Sequence, residues 1–506
     1  MRGGVRKRRY RRFTARRLGV TFSHVDTLRS SRSREDSCSR AAAENPTPTR
    51  TLSCSAAAAA AGTIAARGGH TSRTSHFRLR SILPWLLSAP IALAACGGNR
   101  TFNTTDNTPI TDLPVDLPID PAVEGQAYSP ANAPPAVSGG TLLALKDGVT
   151  AVAADPDRDR VWIVDTDKVA LRGSIALKAG DEPGRSVEDG VGRVWTALRR
   201  GGAVVTLDVP TMTVTARTPV CPEPRGLAYD AATDRIHVAC VGGELVTFDA
   251  TTGKETRRLR LDRDLRDVLI DGAGLRVSRF RSAELLSINA SGIVTKRVKP
   301  PSTVDVGMRP FDPAVAWRTV GLPGGGVATL HQTGLAGDVP SVFSGAAYYA
   351  DPCAVIVHTA VTVDDPAAPQ SPLAGGLLLA LAVDIAIPPD GQSVAIASAG
   401  EDAILETSLS TLQGYDATLD CSNPAASSGA VHTQVPGTPI AVAYDAAGQL
   451  VVQTREPPSV WVFGRGAIPL PGETRRDIGH ELVHSTPAGG IACASCHPEG
   501  REDGRT

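Results

Sequence analysis

Between residues 141 and 468 the chain is built from short apolar runs separated by glycine- and aspartate-containing turns. In one unit, residues 225–230 lead into 235–240 and then 244–249, and the turn Thr252-Gly253-Lys254 follows. Each run is short, rich in β-branched side chains and bounded by turn residues, a pattern typical of antiparallel strands. Seven such units follow one another, most of them about 33 to 56 positions apart, which is close to the length of a propeller blade. The pattern therefore predicts an all-β fold, a β-propeller of about seven blades over residues 141–468. An array of β-sandwiches is the alternative, but it would not predict this spacing.

The repeated unit, exemplified by residues 235–249, resembles the YVTN-type repeats of bacterial propellers. The resemblance covers roughly two thirds of the chain and implies a propeller fold with a face or central channel for binding. One longer gap between units carries an insertion at residues 361–382. The apolar run at 376–383 is too short to span a bilayer, so we expect it to form a buried strand.

The first 77 residues have no apolar period and contain an arginine-rich stretch at residues 6–17. We expect them to be a disordered basic leader, which is either spurious sequence before the true translation start or a nucleic-acid-binding arm. Residues 1–80 hold 18 Lys and Arg against 4 Asp and Glu, leaving 34 basic and 48 acidic residues in the remainder. Because the body is acidic, we expect no nucleic-acid partner.

Residues 78–96 have the organisation of an export signal, with a basic start, a short apolar run at 82–93 and the box Leu93-Ala94-Ala95-Cys96. This box resembles the lipobox of bacterial lipoproteins, and the resemblance implies that Cys96 becomes the lipid-carrying N-terminus. Cleavage of an ordinary secretory signal near Ala95 is the alternative. Both predict an exported protein, periplasmic or at the cell surface, and the first adds a membrane anchor. The Pro- and Thr-rich stretch 97–140 is expected to be a linker.

Four cysteines lie within the predicted propeller, and an oxidising compartment favours their pairing. They are Cys221, Cys240, Cys353 and Cys421. Bridges from Cys221 to Cys240 and from Cys353 to Cys421 would both be local, although sequence alone leaves the other two pairings open. The strand histidines His237, His331 and His358 share no pattern, so we expect packed or surface side chains rather than metal ligands.

The chain contains no G-x-S-x-G, H-E-x-x-H, phosphate-loop or dinucleotide-binding motif, and no catalytic residue can be assigned. Its chemistry lies in Cys493-Ala494-Ser495-Cys496-His497, the C-x-x-C-H pattern of c-type haem attachment. Two thiols three positions apart can form thioethers with the two vinyl groups of one porphyrin. The adjacent imidazole can then bind the iron. Upstream, residues 477–484 have helical spacing, with Ile478, Leu482 and Val483 on one face.

A short helix, a glycine-rich loop and C-x-x-C-H together resemble the start of cytochrome c domains. The resemblance is greatest to the di-haem cytochrome c peroxidase group and to cytochrome domains fused to bacterial propellers. It implies one haem c, bound covalently by Cys493 and Cys496, with His497 as an axial iron ligand. It also makes residues 469–506 the beginning of such a domain. Because nine residues after His497 cannot supply a second axial ligand, we expect this domain to be incomplete.

Three functional hypotheses follow from this sequence. The first is an electron-transfer or peroxidase-like redox protein that acts with a partner protein or a small-molecule oxidant. The second is a non-catalytic, cell-surface binding propeller with a vestigial or truncated haem segment. The third is a zinc site formed by His480, His484, Cys493 and Cys496, although histidines at the protein surface are the more ordinary interpretation of His480 and His484.

Overall fold

The computed structural model describes residues 130, 132–305, 308–337, 356–365, 374–377, 379–414, 418–419, 431–486 and 491–501. The predicted leader and signal lie outside the described residues, and so do Cys96, Cys353 and Cys421.

Seven sheets form the body of the protein, which confirms the predicted seven-bladed propeller. Blades 1 to 4 each consist of four strands that are consecutive in the chain. Blade 1 contains β1 (Leu142–Ala144), β2 (Thr150–Asp155), β3 (Arg160–Asp165) and β4 (Ala170–Ala176). Blade 2 contains β5 (Pro183–Glu188), β6 (Val194–Leu198), β7 (Ala203–Asp208) and β8 (Thr213–Pro219). Blade 3 contains β9 (Pro224–Asp230), β10 (Arg235–Cys240), β11 (Glu244–Asp249) and β12 (Glu255–Arg260). Blade 4 contains β13 (Leu265–Asp271), β14 (Gly274–Arg279), β15 (Leu285–Ile288) and β16 (Val294–Val298).

Blade 5 is larger, with six strands in the spatial order β21-β20-β19-β18-β17-β25. These are β17 (Thr303–Asp305), β18 (Pro310–Gly321), β19 (Val327–Leu335), β20 (Val357–Asp364), β21 (Ala374–Leu377) and β25 (Thr418–Leu419). All described strand pairs within the seven sheets are antiparallel except the parallel pair of β17 and β25. Blade 6 contains β22 (Ala382–Ala386), β23 (Ser393–Ser398), β24 (Ala403–Ser408) and β26 (Val431–Gln434). Blade 7 contains β27 (Pro439–Tyr444), β28 (Leu450–Thr454), β29 (Ser459–Val462) and β30 (Gly466–Pro469). The helices are α1 (Leu409–Gly414), α2 (Ile478–His484), α3 (Cys493–Cys496) and a 3₁₀ turn at Pro498–Gly500.

The blades close into a ring around a central axis. The innermost strands β1, β5, β9, β13, β18, β22 and β27 pack against one another in succession, and β27 packs against β1. At this closure the amide of Gly140 donates to the carbonyl of Ile440 at 3.2 Å. The Gln453 side chain accepts from Thr141 and donates to Ala154, both at 2.8 Å. Blades 1 and 7 are therefore joined by polar contacts as well as by a shared apolar cluster.

Apolar side chains fill the spaces between neighbouring blades and form the core. One such cluster, between blades 3 and 4, includes the fully buried Leu245, Val277 and Leu286. The same polar contact occurs within this core in blades 1 and 2. Trp162 and Trp195 each donate their indole N–H to a buried aspartate at 3.0 Å. The hydrogen bond satisfies the one polar group that a buried tryptophan brings with it.

The apolar run at 376–383 joins blade 5 to blade 6. Residues 379–383 are buried, as expected, but the run is not one strand: it is divided between the end of β21 and the start of β22. Within the described residues no helix is both long enough and apolar enough to cross a membrane.

A disulfide joins Cys221 and Cys240, with an S–S distance of 2.02 Å, as predicted. It ties the approach to β9 to the end of β10 within blade 3. The strand histidines are buried: His237 contacts the Thr247 hydroxyl at 2.9 Å, and His331 contacts the Thr362 hydroxyl at 2.8 Å. His358 is also buried, in β20. These histidines are packed within strands, which is the ordinary interpretation of such residues.

Candidate functional site at the propeller mouth

Arginines from four consecutive blades converge at the centre of the ring. They are Arg185 on β5, Arg225 on β9, Arg266 on β13 and Arg318 on β18. The first three are at most 7% exposed, and Arg318 is half-buried. An isolated buried charge is strongly unfavourable, so this many guanidinium groups require nearby carboxylates.

Two buried aspartates pair with Arg185 and Arg318. Asp267 lies 2.5 Å from an Nη atom of Arg185 and 3.0 Å from one of Arg318. Asp384 lies 3.3 Å from Nε of Arg318. Burial lowers the pKa of Arg185 well below its usual value and raises the pKa of Asp384, in both cases against the attraction of the opposite charges. For Arg318 burial also acts to lower the pKa, but Asp267 and Asp384 outweigh it and raise the pKa.

Arg225 and Arg266 are paired with Glu499, which comes from the far end of the chain. Nη2 of Arg225 lies 2.7 Å from Oε2 of Glu499, and Arg266 forms an ion pair with Oε1. The hydroxyl of Ser138 donates to the same Oε1 at 2.5 Å. Burial by itself would raise the pKa of Glu499, but Arg225, Arg266 and Arg199 outweigh it and hold the pKa well below its usual range. We call Ser138, Arg225, Arg266 and Glu499 the mouth cluster.

Aromatic side chains support this cluster from below. The Arg266 guanidinium lies 4.2 Å from the ring centre of Phe280 and 5.9 Å from that of Trp317, within the range of cation–π attraction. Arg266 also donates to the carbonyl oxygen of Ser138. Arg225 has a pKa lowered to about 10, because burial outweighs the opposing effect of Glu499. The mouth cluster is therefore a largely buried, charged site in which each charged group has a partner of opposite charge.

Glu499 reaches the mouth because residues 491–501, the C-terminal segment, dock on the propeller. The small side chains of Ala492 and Ala494 are buried in the apolar cluster of blades 5 to 7. Pro498 is buried as well, and Glu499 has a left-handed backbone with φ of +56°. A non-glycine residue with this backbone costs of order 1 kcal/mol, so the ion pairs and packing around Glu499 must hold it there.

The opposite side of the C-terminal segment presents the three residues of the C-x-x-C-H motif. Cys493 and His497 are exposed and Cys496 is half-buried. The two cysteines begin and end the single turn of α3, and the amide of His497 donates to the carbonyl of Cys493 at 2.9 Å. Neither thiol takes part in a disulfide. Docking through small residues and Glu499 thus leaves the motif accessible at the mouth.

These residues fit covalent haem attachment. Their thiols are one helical turn apart, and His497 follows directly. Nδ1 of His497 lies 3.3 Å from the carbonyl oxygen of Arg501, to which it can donate. A histidine held in this way has its Nε2 available as an iron ligand. The structure therefore brings together Cys493, Cys496 and His497, the three residues that the sequence had singled out.

His480 and His484 in α2 hold the approach to blade 1. Their rings stack with centres 3.9 Å apart. Nε2 of His484 accepts from the amide of Val137 at 3.3 Å, while its Nδ1 donates to the carbonyl of His480 at 2.8 Å. Nε2 of His480 donates to the carbonyl of Pro135 at 3.1 Å. The prediction of surface histidines is wrong for His484, which is buried, while His480 is half-buried. Both side chains bind the segment at 135–137 to the propeller.

The stacked histidines are kept neutral by their surroundings. Burial lowers the pKa of His480 to about 3, and Arg455 and His484 add to the effect. Burial also lowers the pKa of His484, partly offset by its bond to the His480 carbonyl. The zinc hypothesis does not fit this arrangement, because three of the four ring nitrogens already have backbone partners. Among the described residues no three His, Cys, Asp or Glu side chains are grouped to hold a metal ion.

A cleft of about 360 Å³ opens beside the mouth cluster. Its wall carries Arg199, Arg200 and Arg501 together with Glu182 and Glu223. Arg501 lies 2.5 Å from Glu223, so the last described residue is also fastened to blade 3. The cleft gives solvent a route to one side of Glu499, which lines it.

Sequence reasoning missed the arginines and Glu499. A usable signal was present, because Arg185, Arg225 and Arg266 occur about 40 positions apart, near the start of the first strand in three consecutive units. Nothing comparable marks Glu499, whose partners Arg225 and Arg266 are more than 230 positions away in the chain.

No protein-family model and no curated protein sequence matches the chain. Among solved structures, Kuenenia stuttgartiensis hydrazine synthase is similar with a TM-score of 0.53 and 16% identity, over 68% of this chain and 99% of that chain. Selenomethionine-substituted virginiamycin B lyase from Staphylococcus aureus aligns over 63% of this chain and 92% of its own, with 10% identity and a TM-score of 0.43. The first likeness agrees with the propeller fold and shows nothing further, and the second is too distant to support an argument.

Proposed function

We propose that the protein is an exported haem c-binding redox protein, in which the propeller mouth carries the haem-attachment segment. The observation that carries this proposal is the division of the C-terminal segment into two sides. Ala492, Ala494 and Glu499 fasten one side to the propeller. Cys493 and His497 are exposed on the other, with Cys496 half-buried beside them. A vestigial motif is not expected to be held in a fixed position with its thiols and imidazole accessible.

In this proposal each residue of the motif has a defined role. Cys493 and Cys496 would hold the porphyrin through thioethers, and His497, whose ring the Arg501 carbonyl orients, would bind the iron. The bound group supplies a one-electron redox centre for electron transfer or a peroxidase-like reaction. Ion pairs at Glu499 keep α3 at the mouth, where a redox partner protein or a small oxidant would approach.

Export and lipid anchoring form part of the same proposal. The lipobox-like sequence at 93–96 supports Cys96 as the lipid attachment site. The Cys221–Cys240 disulfide supports an oxidising location such as the periplasm or the cell surface, where c-type haem is also attached.

The alternative is a non-catalytic binding propeller, and the convergent arginines of the mouth favour it as a second candidate. The two differ in what the motif contributes. In the alternative, replacing both motif cysteines changes nothing that the protein binds or does.

Haem attachment can be tested by producing the full chain in the periplasm of a host that contains the c-type haem maturation machinery. We expect haem staining that survives a denaturing gel, and a reduced c-type absorption spectrum. The Cys493→Ser/Cys496→Ser variant should lose both signals, whereas Ser495→Ala, between the cysteines, should keep them. Folded, exported wild-type protein without haem would contradict the proposal.

A further inference from the structure

The mouth cluster has the features of a binding site for a carboxylate. Two guanidinium groups and one hydroxyl meet around the Glu499 carboxylate: Arg225 at 2.7 Å from one oxygen, with Arg266 and Ser138 on the other. Arg225 thus binds both oxygens of the carboxylate, because its Nη1 also donates to Oε1 at 3.1 Å. This is the geometry in which arginine recognises carboxylates with most specificity.

Two buried N–H groups near the ion pairs make no bond to Glu499. Arg225 is 7% exposed, yet its Nε has no hydrogen-bond partner among the described residues. The indole N–H of the 1%-exposed Trp317, next to Arg266, is likewise without a partner in the described part of the chain. Buried donors without partners are uncommon in folded proteins and point to a group that the site can accept.

Glu499 also differs from a residue that merely completes a structural ion pair. It belongs to a different element from its partners, since both arginines lie on inner strands and Glu499 lies on a three-residue turn. Its backbone is held in the left-handed region, φ +56°. A solvent-accessible cleft of about 360 Å³, lined by Arg199, Arg200 and Arg501, borders it on the outer side.

We propose that the propeller mouth is a receptor for a small carboxylate, and that Glu499 occupies it as a tethered ligand. A free carboxylate that enters through the cleft competes with Glu499 for Arg225, Arg266 and Ser138, and its binding releases the C-terminal segment. The tether gives Glu499 a high effective concentration, so the free ligand binds weakly while Glu499 is in place. This inference goes beyond the proposed function, because it requires no haem.

The experiment removes the tethered ligand and supplies a free one. In Glu499→Gly the carboxylate is gone, and the left-handed backbone becomes favourable because glycine has no Cβ. The variant is made in the full chain carrying Cys493→Ser/Cys496→Ser, so haem plays no part. We expect acetate to raise the melting temperature by roughly 2 °C or more over chloride at equal ionic strength, since a ligand that binds the folded state stabilises it. Acetamide, which has the same shape without the charge, should have no effect.

Matched variants separate a site from a general salt effect. Arg225→Gln added to Glu499→Gly removes one guanidinium group of the site and should abolish the response to acetate. Glu255→Gly removes a carboxylate from the exposed ion pair with Arg258 and should also show none. An acetate effect equal in all three variants would overturn the proposal, and so would a response to inorganic phosphate that exceeds the response to acetate.

A second measurement covers the case in which Glu499→Gly does not stay folded. The variant is then purified in acetate and dialysed into chloride or acetate. Soluble protein that persists in acetate and is lost in chloride supports the proposal. Equal loss in both buffers overturns it. Every variant in these experiments lacks the motif cysteines. Their outcome is therefore independent of the outcome of the haem-staining test.

Discussion

The blades and the C-terminal segment are attached to the molecule by different forces. Each blade is held by strand pairing and by apolar clusters with its neighbours, such as the one around Leu286. The C-terminal segment contributes only Ala492 and Ala494 to an apolar cluster. Pro498 is buried as well, and the remaining attachments are charged: Glu499 in the mouth cluster and Arg501 on Glu223.

This contrast matters because the two kinds of contact respond differently to change. Apolar burial scales with area and is shared by many atoms, so it weakens gradually. A buried ion pair depends on a few atoms, and removing one partner leaves the other charge without compensation. The part of the chain that carries the C-x-x-C-H motif is therefore the part that a single substitution can detach.

The largest expected effect is the selective release of the C-terminal segment by Glu499→Gln. Loss of the charge leaves Arg225 and Arg266 without their counter-ion, which costs about 3–5 kcal/mol. Hydrogen exchange of residues 491–501 should accelerate by on the order of a hundredfold or more, while β14 and β15 keep their protection. The matched Glu255→Gln change affects an exposed pair and should cost less than about 1 kcal/mol. Unchanged protection of residues 491–501 would show that other contacts hold this segment.

Loss of the disulfide should weaken the blades instead. Cys221 and Cys240 are separated by 19 positions, and a bridge closing such a loop stabilises by about 3 kcal/mol in the chain-entropy description. The urea midpoint of Cys221→Ala/Cys240→Ala should fall accordingly. Protection of the C-terminal segment should not fall ahead of that of blade 3. If the segment lost protection before blade 3 did, its attachment would depend on blade 3 and not mainly on its own ion pairs.

Acid should act on the region of α2 first. His480 has a folded-state pKa of about 3, below its ordinary value, so the unfolded form takes up a proton that the folded form excludes. The stability that depends on the neutral ring is fully present above about pH 6.5 and is lost as the pH falls below it. Intrinsic-rate-corrected hydrogen exchange of residues 478–486 should rise between pH 6.5 and 5, by up to about tenfold per pH unit for each histidine. In His480→Gln/His484→Gln this pH dependence should disappear, and its persistence would assign it to other groups.

The smallest effect is expected for the apolar side chains of α2. Leu482 is 55% exposed and Val483 is 38% exposed, so the apolar face predicted for this helix does not pack into a core. Leu482→Ser should change the free energy of unfolding by less than about 0.5 kcal/mol. Leu286→Ala, in the fully buried core, should cost about 2–5 kcal/mol. A comparable loss in both variants would contradict the distinction between the two regions.

The same distinction explains what could be predicted from the sequence. Strands, blade number and the Cys221–Cys240 bridge follow from local patterns, because antiparallel neighbours in a blade are also neighbours in the chain. The C-x-x-C-H motif is local as well. The docking of Glu499 and the contact between Val137 and His484 join positions more than 230 residues apart. Side-chain period and turn chemistry carry no information about such pairs, so the mouth cluster emerges only from the three-dimensional arrangement.

Mapping the haem on the intact protein tests the central claim most directly. Wild-type chain produced with the c-type maturation machinery is digested, and its peptides are analysed by mass spectrometry. The account predicts one covalent haem, found on the peptide that contains Cys493 and Cys496 and absent from Cys493→Ser/Cys496→Ser. Unmodified thiols at both positions in folded, exported protein, or haem on any other peptide, would contradict it.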